Sequence, residues 1–199
     1  MAAVKCFEEM ITQYFLLRKE QDEALEGNAH IHYANSSAIR LANIYARHPV
    51  WCNRGVNGIE GSLSTAAGFS LATRQQGQPT FCVVGDLSFF YDQNALWNQE
   101  LGGNLRILLL NNGGGGIFSQ LKGLADSPAH HLVAGTHHTS AEGICRQNNV
   151  GYLHANNIEQ LYQGIEQLIT MKSQRPVLLE VFTDSQDDLQ AYNSYYKLR

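Results

Sequence analysis

Apolar residues follow two rhythms along this chain. In three places they form short, nearly unbroken runs: Phe81-Cys82-Val83-Val84, Ile107-Leu108-Leu109-Leu110, and Pro176 through Phe182, interrupted only by Glu180. Runs of this length bounded by Gly, Asn or Pro predict strands covered on both faces. Elsewhere the apolar positions recur at helical spacing. Val4, Phe7, Ile11, Phe15 and Leu16 predict an amphipathic helix from residue 3 to about 25, ended by Gly27-Asn28. Ile158, Leu161, Ile165 and Leu168 predict a second amphipathic helix.

Shorter segments fill the spaces between. His30 to Ala34, Val50 to Cys52 and Tyr152 to Ala155 read as short strands. Asn35-Ser36-Ser37 reads as an N-cap cluster for a helix through about Tyr45. Ser62 to Ala72 predicts a small-residue helix suited to close packing on a sheet. Ala95, Leu96, Gln99 and Leu101 place a crossover helix between the first two apolar runs. Ile117 to Leu121 begins another helix, Ala141 to Gln147 one more, and Asp184 to Tyr196 a closing one. Strands alternating with helices predict a doubly wound α/β sheet of about six mostly parallel strands with helices on both faces. No repeat or linker interrupts it, so a single domain over 1–199 is expected, with 1–27 as a leading helix.

Composition narrows the function classes. The chain has 199 residues, 44% hydrophobic and 16% charged, with a net charge of −4. That is ordinary globular material, with no basic footprint for nucleic acid. No apolar run approaches membrane-spanning length, so no membrane insertion is expected. Glu8, Glu9 and Arg18-Lys19-Glu20 do not read as a signal peptide. Cys6, Cys52, Cys82 and Cys145 are scattered without a CxxC and read as reduced thiols of a cytoplasmic protein.

The chemistry concentrates just past the carboxyl ends of the first two apolar runs, Gly85-Asp86 after one and Asn111-Asn112 after the other. Open α/β sheets bind ligands at such ends. Asp86 offers a hard carboxylate and Asn112 a neutral amide oxygen, while Gly113 to Gly116 leave backbone groups uncovered. Mg²⁺ takes about six oxygens, usually one or two carboxylates with phosphates and water, and bare N–H groups cradle phosphates. The set suits a Mg²⁺-diphosphate, held by Asp86, Asn112 and the carbonyl of Gly114.

Gly-Asp followed by Asn-Asn resembles the cofactor motif of the thiamine diphosphate-dependent enzymes. Here Leu87-Ser88 follow Gly85-Asp86, then Tyr91-Asp92 and Asn94-Ala95-Leu96, with Asn111-Asn112-Gly113-Gly114-Gly115-Gly116-Ile117-Phe118 downstream. This spelling, over about residues 30 to 185, resembles the menaquinone-pathway family of 2-succinyl-5-enolpyruvyl-6-hydroxy-3-cyclohexene-1-carboxylate synthases, specifically their C-terminal diphosphate-binding domain. The resemblance implies thiamine diphosphate with Mg²⁺ (or Mn²⁺) as cofactors. It implies decarboxylation of 2-oxoglutarate and 1,4-addition of the resulting four-carbon unit to isochorismate. It also implies residue roles. Asn35, Ser36, Gly58, Gly85, Asp86, Leu87, Ser88, Asn112, Gly114 and Ile117 would contact cofactor, Ile59 would wedge beneath thiamine, and Arg40 and Arg54 would hold substrate carboxylates. Ile117, Phe118 and Leu121 would line the substrate pocket, with core packing as the rival reading for each.

The family's activating glutamate lies on a separate pyrimidine-binding domain, across a dimer interface, and no acidic residue here matches its motif. This chain is therefore expected to be part of a longer homodimeric or homotetrameric enzyme, inactive alone. It is also expected to show an apolar face near Ile117 and Phe118.

Other readings fit less. Gly113 and Gly115 are followed by Phe118 where a nicotinamide-binding fingerprint needs its third Gly. Another thiamine enzyme, such as a 2-oxoacid decarboxylase or acetohydroxyacid synthase, usually carries Gly where Leu87 stands. A non-catalytic module would have no need of an intact Asp86 and Asn112. His130-His131 and His137-His138 lack zinc-ligand spacing, and the stretch Gly123 to Ser140 reads instead as a mobile loop beside the site.

Overall fold

The computed structural model describes residues 1–21, 29–55, 58–121, 123–124 and 126–197. The expected helix end at Gly27-Asn28, and Val56-Asn57, lie outside these residues. Six strands form one sheet, all parallel: β1 (His30–Tyr33), β2 (Trp51–Cys52), β3 (Thr80–Gly85), β4 (Leu105–Asn111), β5 (Gly151–Ala155) and β6 (Val177–Phe182). Their order is β2-β1-β3-β4-β6-β5. The three apolar runs become the central strands β3, β4 and β6. Cys82 pairs with Ile107 and Ile107 with Leu178, all three fully buried.

Helices cover both faces. The helices are α1 (Ala2–Gln21), α2 (Ser37–Tyr45), α3 (Ser62–Thr73), α4 (Asp86–Tyr91), α5 (His130–Val133), α6 (Glu142–Gln147), α7 (Ile158–Thr170) and α8 (Ser185–Lys197). α1 packs against α2 and α7 on one face, where Phe7 meets Phe81 edge-on at 5.5 Å. On the other face Phe69 of α3 meets His30, and Thr73 bonds Thr80. Strand residues alternate between faces, so β1 sends Ile31 and Tyr33 toward one layer and His30 and His32 toward the other.

Three local expectations are corrected. The crossover from β3 to β4 does not place its helix at Ala95 to Leu101. The chain turns helical at once, as α4, then runs a 3₁₀ turn over Gln93–Trp97. Asp92 explains the early turn. It is buried and accepts the backbone N–H of Ser64 at 2.6 Å, at the start of α3, so the crossover is pinned there and little length remains for a second α-helix. The Asn35-Ser36-Ser37 cluster also does not cap α2 with a side chain. Ser36 has φ 69° and makes no such bond, while the Asn35 amide is turned toward the carbonyls of Asn53 and Gly58. By contrast, Asn157 caps α7, accepting the N–H of Gln160 at 2.9 Å. Ile117 to Leu121 forms a 3₁₀ turn, Gly116–Gln120, not a longer helix.

Close approach explains one glycine. A Cβ on Gly103 would fall 1.7 Å from the carbonyl oxygen of Ser173, so only glycine lets the turn before β6 pack on the crossover. No helix among the described residues is long and apolar enough to cross a membrane.

Candidate functional site

In the order β2-β1-β3-β4, the chain leaves β1 toward β2 and leaves β3 toward β4. A crevice opens where neighbouring connections part at the carboxyl edge. A cavity of about 360 Å³ lies there. Asn35, Ser36 and Arg40 reach it from the end of β1, and Gly58, Ile59 and Glu60 from the loop after β2. Gly85 to Ser88 follow β3, Asn112 and Gly114 to Phe118 follow β4, and α8 contributes Asp188, Leu189 and Tyr192. The fold thus gathers thirteen of the residues singled out from the sequence into one cavity. Arg54 and Leu121 are not among its lining; both are exposed, Leu121 to 49%. Ile117 and Phe118 are half-buried.

Asp86 begins α4 directly at the end of β3 and is 3% exposed. Its Oδ1 accepts the N–H of Leu87 at 2.7 Å and its Oδ2 the N–H of Gly114 at 2.9 Å. Burial pushes its pKa above the usual carboxylate value, opposed by those two N–H groups and by the nearby His137. His137 Nε2 stands 3.3 Å from Oδ2, close enough for an ion pair but without hydrogen-bond alignment.

The two asparagines divide their work. Asn111 is buried, and its amide donates to Glu180 and to the carbonyl of Thr139, while its Oδ1 accepts the N–H of Gly113. Asn112 instead lines the cavity, and its Nδ2 donates to Asp188 Oδ2 at 3.1 Å. Asn112 is therefore the amide whose oxygen remains for a cation. Gly113 and Gly114 take φ of 78° and 157°, conformations that a side chain resists.

The His-bearing stretch is tied to this turn. Gly115 N–H donates to Ala134 O at 2.7 Å, and His137 N–H to Gly113 O at 3.0 Å. A second cavity of about 440 Å³ separates Asn111 to Gly116 from His130 to Thr139 and shares the glycines as a wall.

Two further arrangements bear on ligands. The Arg40 guanidinium has no hydrogen-bond or ion partner among the described residues, and it lines the cavity. Ser36, a non-glycine residue at positive φ, holds strained backbone at the same wall. The contacts that the sequence does not reveal are those of His137 with Asp86, of Asp188 with Asn112 and of Glu180 with Asn111. Only Glu180 left a signal, as a charge in the middle of an apolar run.

A hard cation fits these donors. A carboxylate, an amide oxygen and a backbone carbonyl are all hard ligands on adjacent strand ends, and the burial that disfavours the Asp86 charge is what a divalent cation offsets.

Residues 34–181 match the family model for the thiamine pyrophosphate enzyme C-terminal TPP binding domain. The chain is 45% identical over 183 residues to the 2-succinyl-5-enolpyruvyl-6-hydroxy-3-cyclohexene-1-carboxylate synthase of Bacteroides fragilis, covering 87% of this chain and 32% of that protein. It is 43% identical over 171 residues to the protein of the same name from Phocaeicola vulgatus, covering 83% of this chain and 30% of that one. The chain spans about a third of the length of these relatives. The fold is shared with benzoylformate decarboxylase from Polynucleobacter necessarius, at TM-score 0.65 and 17% identity over 84% of this chain and 32% of the other. The chain belongs to the thiamine pyrophosphate enzymes and carries their C-terminal TPP-binding domain.

Proposed function

We propose that this chain is the diphosphate- and Mg²⁺-binding part of a thiamine diphosphate-dependent synthase that decarboxylates 2-oxoglutarate and adds the remaining four-carbon unit to isochorismate in menaquinone biosynthesis. The observation that carries this reading is the meeting of Asp86, Asn112 and Gly114 to Gly116 with Arg40 in one cavity. The names of the similar Bacteroides and Phocaeicola proteins support the choice of substrates.

Asp86, Asn112 and the Gly114 carbonyl hold Mg²⁺ (or Mn²⁺), and the glycine turn and the Ser36 loop face the diphosphate. Ile59, half-buried at the cavity wall, supports the cofactor ring. The chemistry supplied by the bound cofactor is a carbon nucleophile for the 2-oxoacid carbonyl and an electron sink for loss of CO₂. Arg40 binds a substrate carboxylate as a guanidinium fork. Arg54, outside the cavity, is assigned the second carboxylate in the assembled enzyme. The pyrimidine-binding domain of the same enzyme completes the site across a homo-oligomer interface. The free cysteines Cys6, Cys52, Cys82 and Cys145 support a cytoplasmic setting.

The test is turnover of the complete protein carrying this chain, with Mg²⁺, thiamine diphosphate, 2-oxoglutarate and isochorismate, the product identified by mass spectrometry. The 199-residue chain alone is expected to give none. Consumption of pyruvate or benzoylformate in preference to 2-oxoglutarate would reassign the substrate, and turnover by the chain alone would refute the division of the site.

A further inference from the structure

Glu180 is an acidic residue on β6, the strand between β4 and the edge strand β5, and is 0% exposed. No Lys, Arg or His side chain among the described residues forms an ion pair with it; its partners are neutral donors. Oε1 accepts the Asn111 amide at 2.7 Å and the Ala141 N–H at 3.1 Å. Oε2 accepts Ser140 Oγ at 2.8 Å, Tyr152 OH at 2.7 Å and the same Ala141 N–H at 3.1 Å. A buried acid is costly unless its oxygens are satisfied, and an apolar residue here would extend the run of β6 at less cost. The carboxylate is retained at a place where it does something else.

Its partners show what that is. Asn111 pairs with Phe182, so Glu180 stands diagonally across on the same sheet face. Held there, the Asn111 amide takes Thr139 O as a second acceptor and presents Oδ1 to the Gly113 N–H at 3.1 Å. Gly113 lies between Asn112 and Gly114. Two of the other donors to Glu180, Ser140 and Ala141, close the stretch that carries His137. One side chain therefore fixes both segments that face Asp86.

We infer that Glu180 is a positioning residue, acting through Asn111 and Gly113 to aim the Asn112 amide and the Gly114 carbonyl at the cation. The inference rests on the proposed Mg²⁺-diphosphate site. Groups behind metal ligands set ligand orientation, and losing them typically lowers metal affinity about 10–100-fold. Glu180→Gln keeps the shape but replaces one carboxylate oxygen by an NH₂, which only the Ser140 and Tyr152 hydroxyls can accept, so the Ala141 contact on that side opens and the Asn111 amide is left with a neutral amide acceptor in place of a carboxylate.

The experiment uses the complete protein. Mn²⁺ binding is followed by electron paramagnetic resonance and thiamine diphosphate binding by calorimetry, at a temperature where circular dichroism shows every variant folded. Glu180→Gln and Asn111→Ala are each expected to weaken Mn²⁺ binding about tenfold or more. The double variant should be no weaker than either alone, because both cut one relay. Tyr152→Phe, which removes a donor to Glu180 remote from the turn, should lower the melting temperature and leave Mn²⁺ affinity unchanged. Folded Glu180→Gln with wild-type Mn²⁺ affinity overturns the inference, as do additive effects in the double variant. If Glu180→Gln does not fold, Asn111→Ala alone decides by the same criterion. A wild-type protein that binds neither Mn²⁺ nor thiamine diphosphate overturns the proposed site itself, and this inference with it.

Discussion

His137 places Nε2 at 3.3 Å from Oδ2 of Asp86, although the two residues belong to segments that flank opposite sides of the glycine turn. The imidazole also meets the Phe90 ring edge-on at 5.2 Å, which fixes its plane. The carboxylate proposed to hold a cation thus already has an imidazole nitrogen close to one of its oxygens.

Asp86→Ala is expected to abolish Mg²⁺-dependent binding of thiamine diphosphate while leaving the far-ultraviolet dichroism unchanged. In wild type, cofactor at a hundred times its dissociation constant adds about 2.7 kcal/mol of stability. Calorimetric melting with and without Mg²⁺ and cofactor reads the difference. A retained shift in the variant would remove Asp86 from the metal site.

Arg40→Ala in the complete enzyme should reduce kcat/KM for the 2-oxoacid by about 1.5–3 kcal/mol, the scale of a hydrogen bond to a charged group. Lysine at the same position should restore only part, since a point charge does not replace the planar fork. Steady-state kinetics with each substrate varied in turn checks this.

His48 Nε2 lies 2.8 Å from Glu8 Oε2, joining α1 to the segment after α2. The Glu8 hydrogen bond raises the His48 pKa above its ordinary 6.5. A histidine with a raised folded-state pKa adds stability that is fully present below the unfolded value and is lost as pH rises through the folded one. Wild type should therefore exceed His48→Gln in melting temperature at pH 5.5 and lose most of that margin at pH 8.5. An equal margin at both would show that packing, not charge, accounts for the contact.

Gly103→Ala is expected to destabilise by about 1–3 kcal/mol, as overpacking does, because the obstacle is the Ser173 backbone. Gly164→Ala, whose Cβ would meet only the flexible end of Leu179 at 2.7 Å, should cost less, with helix propensity offsetting part. Denaturant midpoints of the two variants give the comparison.

The central strands were legible because β3, β4 and β6 are covered on both faces and so read as continuous apolar runs. Asp86 and Asn112, which line the cavity, were legible because they sit where such runs end. What escaped was non-local. Nothing near residue 95 reveals that Asp92 is drawn to Ser64, so the local pattern points to a crossover helix later than α4. Nothing near Asn111 names Glu180 or His137 as neighbours, because sheet register and loop packing set those contacts. The cap at Ser36 failed for the same reason, the Asn35 amide being claimed by the loop after β2.

The interleaved strand order constrains how the chain is made as well as how it works. β6 is the strand that joins β5 to β4, and among the described residues β5 pairs with no other strand. During synthesis, Leu105–Asn111 must therefore wait beside an open backbone edge until Val177–Phe182 emerges. Throughout that interval one edge of an apolar strand, paired only with β3 on its other side, stands open, the state in which nascent chains associate wrongly. Glu180 arrives on the same strand, so the ribosome delivers edge closure and the anchor for Asn111 in one step.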